Sequence, residues 1–287
     1  MGGLDPPELS VLVVSWNTRD LLRDCLRSLM TTLEGTAAEV IVIDNDSADA
    51  SAAMVAEEFA AEPRVRLVAN PANVGFAAGN NQALSLARGN VVAVVNPDTV
   101  FEGPVLAELT AFVQGHPEVG IATCNLVGLD GRSQSLHRAF PTLPTVFFVN
   151  TLPGRWIDHR VLGRRMYRRS RLLNRPRTGT VRIDQAAGAL LVIRRELIDD
   201  VGGLFDERLP LYFNDVDLSR RVRARGLDVV VRYDLTVLHH GGGSLNQLEK
   251  NDRDQRLWDG LCRYYRLHEP RWRRAVLVSM GPLRGRP

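Results

Sequence analysis

Apolar and polar positions along the first 125 residues fall into alternating blocks. Five short runs rich in branched aliphatics, Val11 to Ser15, Val40 to Ile43, Val65 to Val68, Val91 to Val95 and Val119 to Thr123, read as strands, the first two of them buried. Between them lie segments of helical character. Leu22, Leu26, Leu29 and Leu33 recur at helical spacing within Thr18 to Leu33, Asp49 to Ala61 is alanine-rich, Gly79 to Ala87 reads as a helix, and Pro104 to Gln114 opens on a proline suited to a first helical turn. Strand and helix in strict alternation predict βαβ units and an α/β fold around a mostly parallel sheet flanked by helices.

The second half is less regular. Asn125 to Pro153 is loop-like, with three prolines, and Trp156 to Leu173 reads as one basic amphipathic helix. Ala187 to Ile193 and Val229 to Val231 are strand candidates, with a Gly202-Gly203 break and a helix from Asp215 to Arg225 between them. The chain ends in a helical appendage around Trp258 to Tyr265. The expected division is two halves of one α/β domain, 1–125 and 126–244, and a basic helical tail, 245–287.

Composition narrows the class. With 287 residues, 45% hydrophobic and 24% charged, the chain can bury a large core. Its net charge of +3 hides arginine clusters from Arg155 to Arg177 and from Arg253 to Arg286. These suit an anionic partner such as a phosphate group or a membrane face, with a solvated arginine surface as the plainer alternative. No aromatic stacking pattern accompanies them, which argues against nucleic acid. Cys25, Cys124 and Cys262 show no metal spacing, as in a reduced compartment. Met1 to Ser10 lacks a signal-peptide core, and no apolar run approaches the roughly 20 residues that span a bilayer. The expectation is a cytoplasmic protein, free or held at the inner face of the membrane.

Chemistry gathers at the strand ends. Ser15-Trp16-Asn17, Asp44-Asn45-Asp46, Asn70 to Asn73 and Asn96-Pro97-Asp98 each follow a strand, where α/β sheets bind ligands, so four clusters describe one site. Asp98 suits a hard divalent cation held against a diphosphate, although Asn-Pro-Asp is also a common turn sequence. In the stretch Asn73 to Asn81, Gly75 and Gly79 permit close backbone approach, and the helix start suits phosphate; the alternative is a glycine-softened turn. Asp215 and Asp217 at a helix start are either caps or ionised carboxylates able to take a proton from a hydroxyl. His239 is a candidate metal ligand or a structural histidine, with Gly241 to Ser244 behind it as a flexible closing segment.

Taken together, Val13-Val14-Ser15-Trp16-Asn17, Val42-Ile43-Asp44-Asn45-Asp46-Ser47, Asn73 to Asn81, Asn96 to Asp98, Gly188 to Arg195, Gly202 to Glu207, Asn214 to Leu218 and His239 to Ser244 resemble family 2 glycosyltransferases, in particular their rhamnosyltransferase-like branch. The resemblance implies a GT-A fold and an inverting single displacement from a nucleotide-sugar, with Mg²⁺ or Mn²⁺ as cofactor. It implies Asp215 as base, and Asp98 and His239 at the metal; which of His239 and His240 faces the metal stays open. It places Asp44 at the nucleotide base, with Ser15, Asn17, Asn73, Gly75, Phe76, Asn80 and Asn96 along nucleotide and sugar. The acceptor, a glycan or lipid-linked diphosphate, is expected at Asn214, Asp217, Arg164 and Arg165. The branch points to dTDP-rhamnose as donor. Two positions depart from the commoner family pattern: Asn96 where an aspartate often opens the metal motif, and Asn214 where a glutamate often precedes the base. A nucleotidyltransferase on the same scaffold would open with a glycine-rich basic loop after the first strand, where Ser15-Trp16-Asn17-Thr18 stands instead. A non-catalytic binding module would have no use for Asp98, Asp215 and His239 together.

Overall fold

A computed structural model of the chain describes residues 7–134, 136–172, 177–241 and 249–281. Its strands are β1 (Leu9–Ser15), β2 (Ala38–Asp44), β3 (Val65–Ala69), β4 (Val91–Val95), β5 (Thr99–Val100), β6 (Val119–Val127), β7 (Thr180–Ile183), β8 (Leu190–Arg194) and β9 (Asp228–His239). They form one sheet in the order β3-β2-β1-β4-β8-β6-β9-β5, with β7 against β9. The sheet is mostly parallel, as the alternating pattern predicts. Strands β1 to β4 run together and β6 pairs parallel with β9, while β8, β5 and β7 run the opposite way.

The aliphatic runs of β1, β2 and β4 are continuous because both faces of these strands are covered, while β3, at the sheet edge, is only partly buried. Along β1, Leu9, Val11 and Val13 enter one core and Leu12 and Val14 the other; β2 divides Val40 and Val42 from Ile41 and Ile43 in the same way. The first core is closed by α1 (Arg19–Thr32), α2 (Ser51–Glu58) and α4 (Val105–Gly115). The second is closed by α3 (Phe76–Leu86), α8 (Arg195–Asp200) and α9 (Asn214–Ala224). Ser15 lies in register with Asp44, and Asp44 with Ala69, so the polar residues beyond these strands meet on one edge.

The second half departs from expectation in three places. The segment read as loop carries β6 on to Val127 and then forms α5 (Leu143–Asn150), followed at once by α6 (Leu152–Arg160). Thr142 and Thr151 cap these helices through their hydroxyls, and a proline sits in each first turn, so the prolines start helices here rather than prevent them. The single basic helix expected from Trp156 to Leu173 is instead α6 and a separate α7 (Arg165–Ser170), with Leu173 outside the described residues. The break falls at Gly163 and Arg164, both at left-handed φ, and the buried Asp158 carboxylate of α6 accepts the Met166 and Tyr167 N–H groups at the start of α7.

The C-terminal helices α10 (Lys250–His268) and α11 (Arg271–Ser279) are packed parts of the body rather than a tail. Leu261, Tyr264, Tyr265 and Leu277 share a third core with Val146 of α5 and Val216 of α9. The boundary expected at 125/126 cuts through β6, so both halves share one sheet. Among the described residues no helix is long and apolar enough to cross a membrane. Gly242 to Ser244 and the arginines Arg284 and Arg286 lie outside the described residues.

Candidate active site

Beyond β1 and β2 the backbone is laced into one surface. Asn17, at a left-handed φ of 50°, donates its N–H to Ser47 Oγ and accepts the Ala48 N–H on Oδ1, at 2.9 and 2.7 Å. Asp44 Oδ2 accepts the Ser47 N–H at 3.0 Å, while its buried Oδ1 has no hydrogen-bond partner. A buried acceptor left unpaired costs about 1–3 kcal/mol, so this oxygen is suited to a ligand donor. Gly75 opens α3 at φ 89° and ψ 168°, where side-chain-bearing residues are strained. One turn on, a Cβ at Gly79 would stand 2.9 Å from Val14 Cγ1, so α3 presses directly onto β1. Asn73 Oδ1 accepts the Gly75 N–H at 2.9 Å, and Phe76 packs against Phe205 with ring centroids 5.6 Å apart. Ser15 and Asn80, expected to line the nucleotide, are fully buried. Ser15 Oγ pairs with Thr18 Oγ1 at 2.8 Å, and Asn80 Nδ2 donates to the Phe76 carbonyl at 2.9 Å, while Asn80 Oδ1 has no hydrogen-bond partner.

The Asn96-Pro97-Asp98 turn is joined to the far end of β9. Asn96 donates its N–H to the Ala189 carbonyl at 2.9 Å, and the His240 N–H donates to the Asp98 carbonyl at 2.9 Å. Short strand β5 pairs Thr99 with His239 across the same junction. This settles which histidine turns inward. His239 Nε2 lies 3.4 Å from Asp98 Oδ1, both side chains are buried, and Nε2 makes no hydrogen bond. A buried imidazole nitrogen without a hydrogen-bond partner, facing a carboxylate oxygen, fits a divalent cation between them. Among the described residues no larger cluster of His, Cys, Asp or Glu suits a metal.

Asp215 sits in the first turn of α9, after Phe213 at a left-handed φ of 69°. Its Oδ2 accepts the Gly188 N–H at 3.0 Å and its Oδ1 the Val216 N–H at 2.8 Å. Burial raises the Asp215 pKa above the ordinary carboxylate value, against the opposing pull of these two N–H groups and of Arg138. A carboxylate so held can accept a proton from a hydroxyl brought to it. Asn96, His239 and Asp215 line one cavity of about 970 Å³, which also receives Arg138, Arg171 and Arg253. Residues of α5 and α10, including Val146, Val149, Leu257 and Leu261, form an apolar wall.

The residues expected at the acceptor do not line this cavity. Asp217 is buried with its carboxylate bound to Arg221 at 2.8 Å and His268 at 2.6 Å, which ties α9 to α10. Asn214 is buried too, its Oδ1 accepting the Asp215 N–H at 2.8 Å. Arg164 and Arg165 are exposed on the break between α6 and α7, Arg164 lying over the Tyr167 ring. Arg138, Arg171 and Arg253 line the cavity instead. Arg138, Gln134 and His137 fall in the stretch whose pattern reads as loop, and nothing in the local pattern singles out Gln185. The Asp130-Gly131 dipeptide, a hairpin signal, was the available clue to the returning segment that bears the first three. His137, buried, accepts the Ala187 N–H on Nδ1 at 3.1 Å and contacts the Cys124 carbonyl through Nε2 at 3.2 Å. It thereby sets the turn whose next N–H, that of Gly188, holds Asp215.

Comparison with known proteins gives the family and the fold. The family model described as "Glycosyl transferase family 2" matches residues 10–196. The "O-antigen biosynthesis protein RfbC" of Myxococcus xanthus is 28% identical over 242 residues, covering 83% of this chain and 18% of that protein. An "N-acetylglucosaminyl-diphospho-decaprenol L-rhamnosyltransferase" of Mycobacterium tuberculosis is 27% identical over 243 residues, covering 81% of this chain and 76% of the relative. This chain spans only 28% and 18% of the lengths of two curated relatives, the Myxococcus protein being the second. Among solved structures, a mannosyltransferase of Pyrobaculum calidifontis in complex with GDP-Man and Mn²⁺ superposes with a TM-score of 0.60 at 18% identity, over 96% of this chain and 69% of the other; the fold is GT-A. With the family model spanning most of the chain, and an α/β scaffold bringing Asn96, His239 and Asp215 to one cavity, this protein belongs to glycosyl transferase family 2.

Proposed function

We propose that the protein transfers L-rhamnose from dTDP-rhamnose, with inversion, to a hydroxyl of a glycan or polyprenyl-diphosphate-linked acceptor during cell-envelope polysaccharide synthesis. The observation that carries this reading is the shared cavity: Asn96 and His239 at one end of the sheet and Asp215 at the start of α9 face one space. The named relatives in O-antigen synthesis and in rhamnosyl transfer to a lipid diphosphate support the substrate class. The nucleotide base pairs with Asp44, whose unpaired Oδ1 awaits a donor.

Asp98 and His239 would hold Mg²⁺ or Mn²⁺, which would supply charge neutralisation for the departing diphosphate. Asp215 takes the proton from the acceptor hydroxyl as its oxygen forms the new bond to the anomeric carbon, and the bond from that carbon to the diphosphate breaks on the opposite face. The arginines of the cavity, Arg138, Arg171 and Arg253, suit a diphosphate on the acceptor. Leu152, Trp156 and Val161 are 71%, 63% and 68% exposed beside the cavity's α5 wall, among the arginines of α6 and α7. That mixture suits the anionic inner face of a membrane.

Thermal shift against dTDP-rhamnose, UDP-sugars and GDP-sugars, each with and without Mg²⁺, tests the donor. The expected result is a Mg²⁺-dependent shift confined to the dTDP ligand. A shift confined to a GDP-sugar would transfer the assignment to a mannosyl-type donor.

A further inference from the structure

Gln134 and His239 are 105 residues apart in sequence, yet the Gln134 carboxamide makes two hydrogen bonds to this one residue. Its Nε2 donates to the His239 main-chain carbonyl at 2.7 Å. Its Oε1 lies 2.7 Å from His239 Nδ1. The two bonds fix each other. A carbonyl oxygen only accepts, so the amide must present its NH₂ group there, and the oxygen must then face the ring. An amide oxygen also only accepts, so Nδ1 carries the ring proton. In the neutral ring the lone pair is therefore on Nε2, the nitrogen that faces Asp98 Oδ1 at 3.4 Å without a hydrogen bond. Gln134 is itself fixed from behind, its N–H donating to the Leu126 carbonyl at 2.7 Å, next to the Val127–Ser133 bridge.

We propose that Gln134 is the positioning residue of the cation site: it selects the Nδ1-protonated form of His239 and fixes the ring plane, so that Nε2 and Asp98 together present lone pairs to a divalent cation. This rests on the reading of Asp98 and His239 as cation ligands. Partners that orient a ligating histidine typically govern metal affinity by about 10–100-fold.

Mn²⁺ titration followed by electron paramagnetic resonance, with dTDP present at constant concentration, reads affinity without turnover. Nitrogen NMR of ring-labelled histidine, assigned with His239→Asn, reads the tautomer. Gln134→Leu is expected to weaken Mn²⁺ binding by about 10–100-fold and to give a mixed His239 tautomer. Gln134→Glu keeps the acceptor oxygen, and is expected to keep the Nδ1-protonated form and most of the affinity. Melting temperatures without metal check that both variants fold. A single tautomer and unchanged affinity in Gln134→Leu would overturn the proposal, as would equal losses in both variants with the tautomer preserved. Failure of the underlying reading gives a different result, with Asp98→Asn and His239→Asn both binding Mn²⁺ like the unaltered protein.

Discussion

At the scale of single residues the site depends on how few groups hold each reactive atom. Asp215 is held by two backbone N–H groups, and burial is what raises its pKa. Asp215→Asn keeps the shape and removes the proposed base. Turnover is expected to fall by about 10²–10⁴-fold with donor affinity unchanged, measured by steady-state kinetics alongside calorimetric titration of the donor. The base works only when ionised, so kcat/KM falls as pH drops through its pKa, and that limb lies above the ordinary carboxylate range. Arg138 pulls the pKa down, so Arg138→Gln is expected to move the acid limb to still higher pH in a pH–rate profile. His137 behaves in the opposite sense. Burial lowers its pKa from 6.5 to about 4, so the fold requires the neutral ring. Its contribution is complete above the unfolded value and is lost as pH falls from 6.5 toward 4, on the order of 3 kcal/mol in all. Denaturation midpoints across that window should decline, and His137→Gln should flatten the decline.

Elements matter here for what they carry to the cavity. Strand β9 is long enough to bring His239 from the far edge of the sheet to the Asn96-Pro97-Asp98 turn, and α9 delivers Asp215 in its first turn. Helix α10 closes the apolar side, and the buried Asp217 carboxylate binds it to α9 through His268 while gripping Arg221 on its own helix. Removing one member of such a cluster strands the others, so Asp217→Ala is expected to cost about 3 kcal/mol in urea denaturation. Activity should fall with it, because the wall bearing Arg253 and Leu257 loses its anchor. A variant with unaltered stability would show that α10 is held by its apolar contacts alone. The same cluster separates Asp217 from a substrate contact: two aspartates in one helical turn look alike in sequence, and only their neighbours, Gly188 for Asp215 and Arg221 and His268 for Asp217, tell them apart.

For the molecule as a whole, the break at Gly163 and Arg164 decides how the arginine-rich segment meets its surroundings. Two short helices leave Leu152, Trp156 and Val161 exposed among cations, beside the wall of the cavity. Replacing these three by serine should abolish co-sedimentation with vesicles containing anionic lipid at low salt, leaving the melting temperature unchanged because the side chains pack against little. Binding by the unaltered protein should weaken as salt rises, since the electrostatic part acts over a Debye length of about 10 Å at 0.1 M. Equal sedimentation of variant and unaltered protein would remove this surface from membrane association.

Local pattern determined the parallel half of the sheet, because strands buried on both faces must be continuously apolar and their polar termini must then share one edge. It also marked Asp98, Asp215 and His239 as candidates by residue type and immediate neighbours, and the fold sets Asp98 beside His239 and puts His239 and Asp215 on one cavity. Tertiary structure decided what depends on partners distant in the chain: the pairing of Gln134 with His239, the support of Asp215 through His137 and Gly188, and the burial of Ser15, Asn80 and Asp217. A hydrogen bond across a hundred residues leaves no period or spacing to read, whereas a strand or helix repeats its own pattern every few residues.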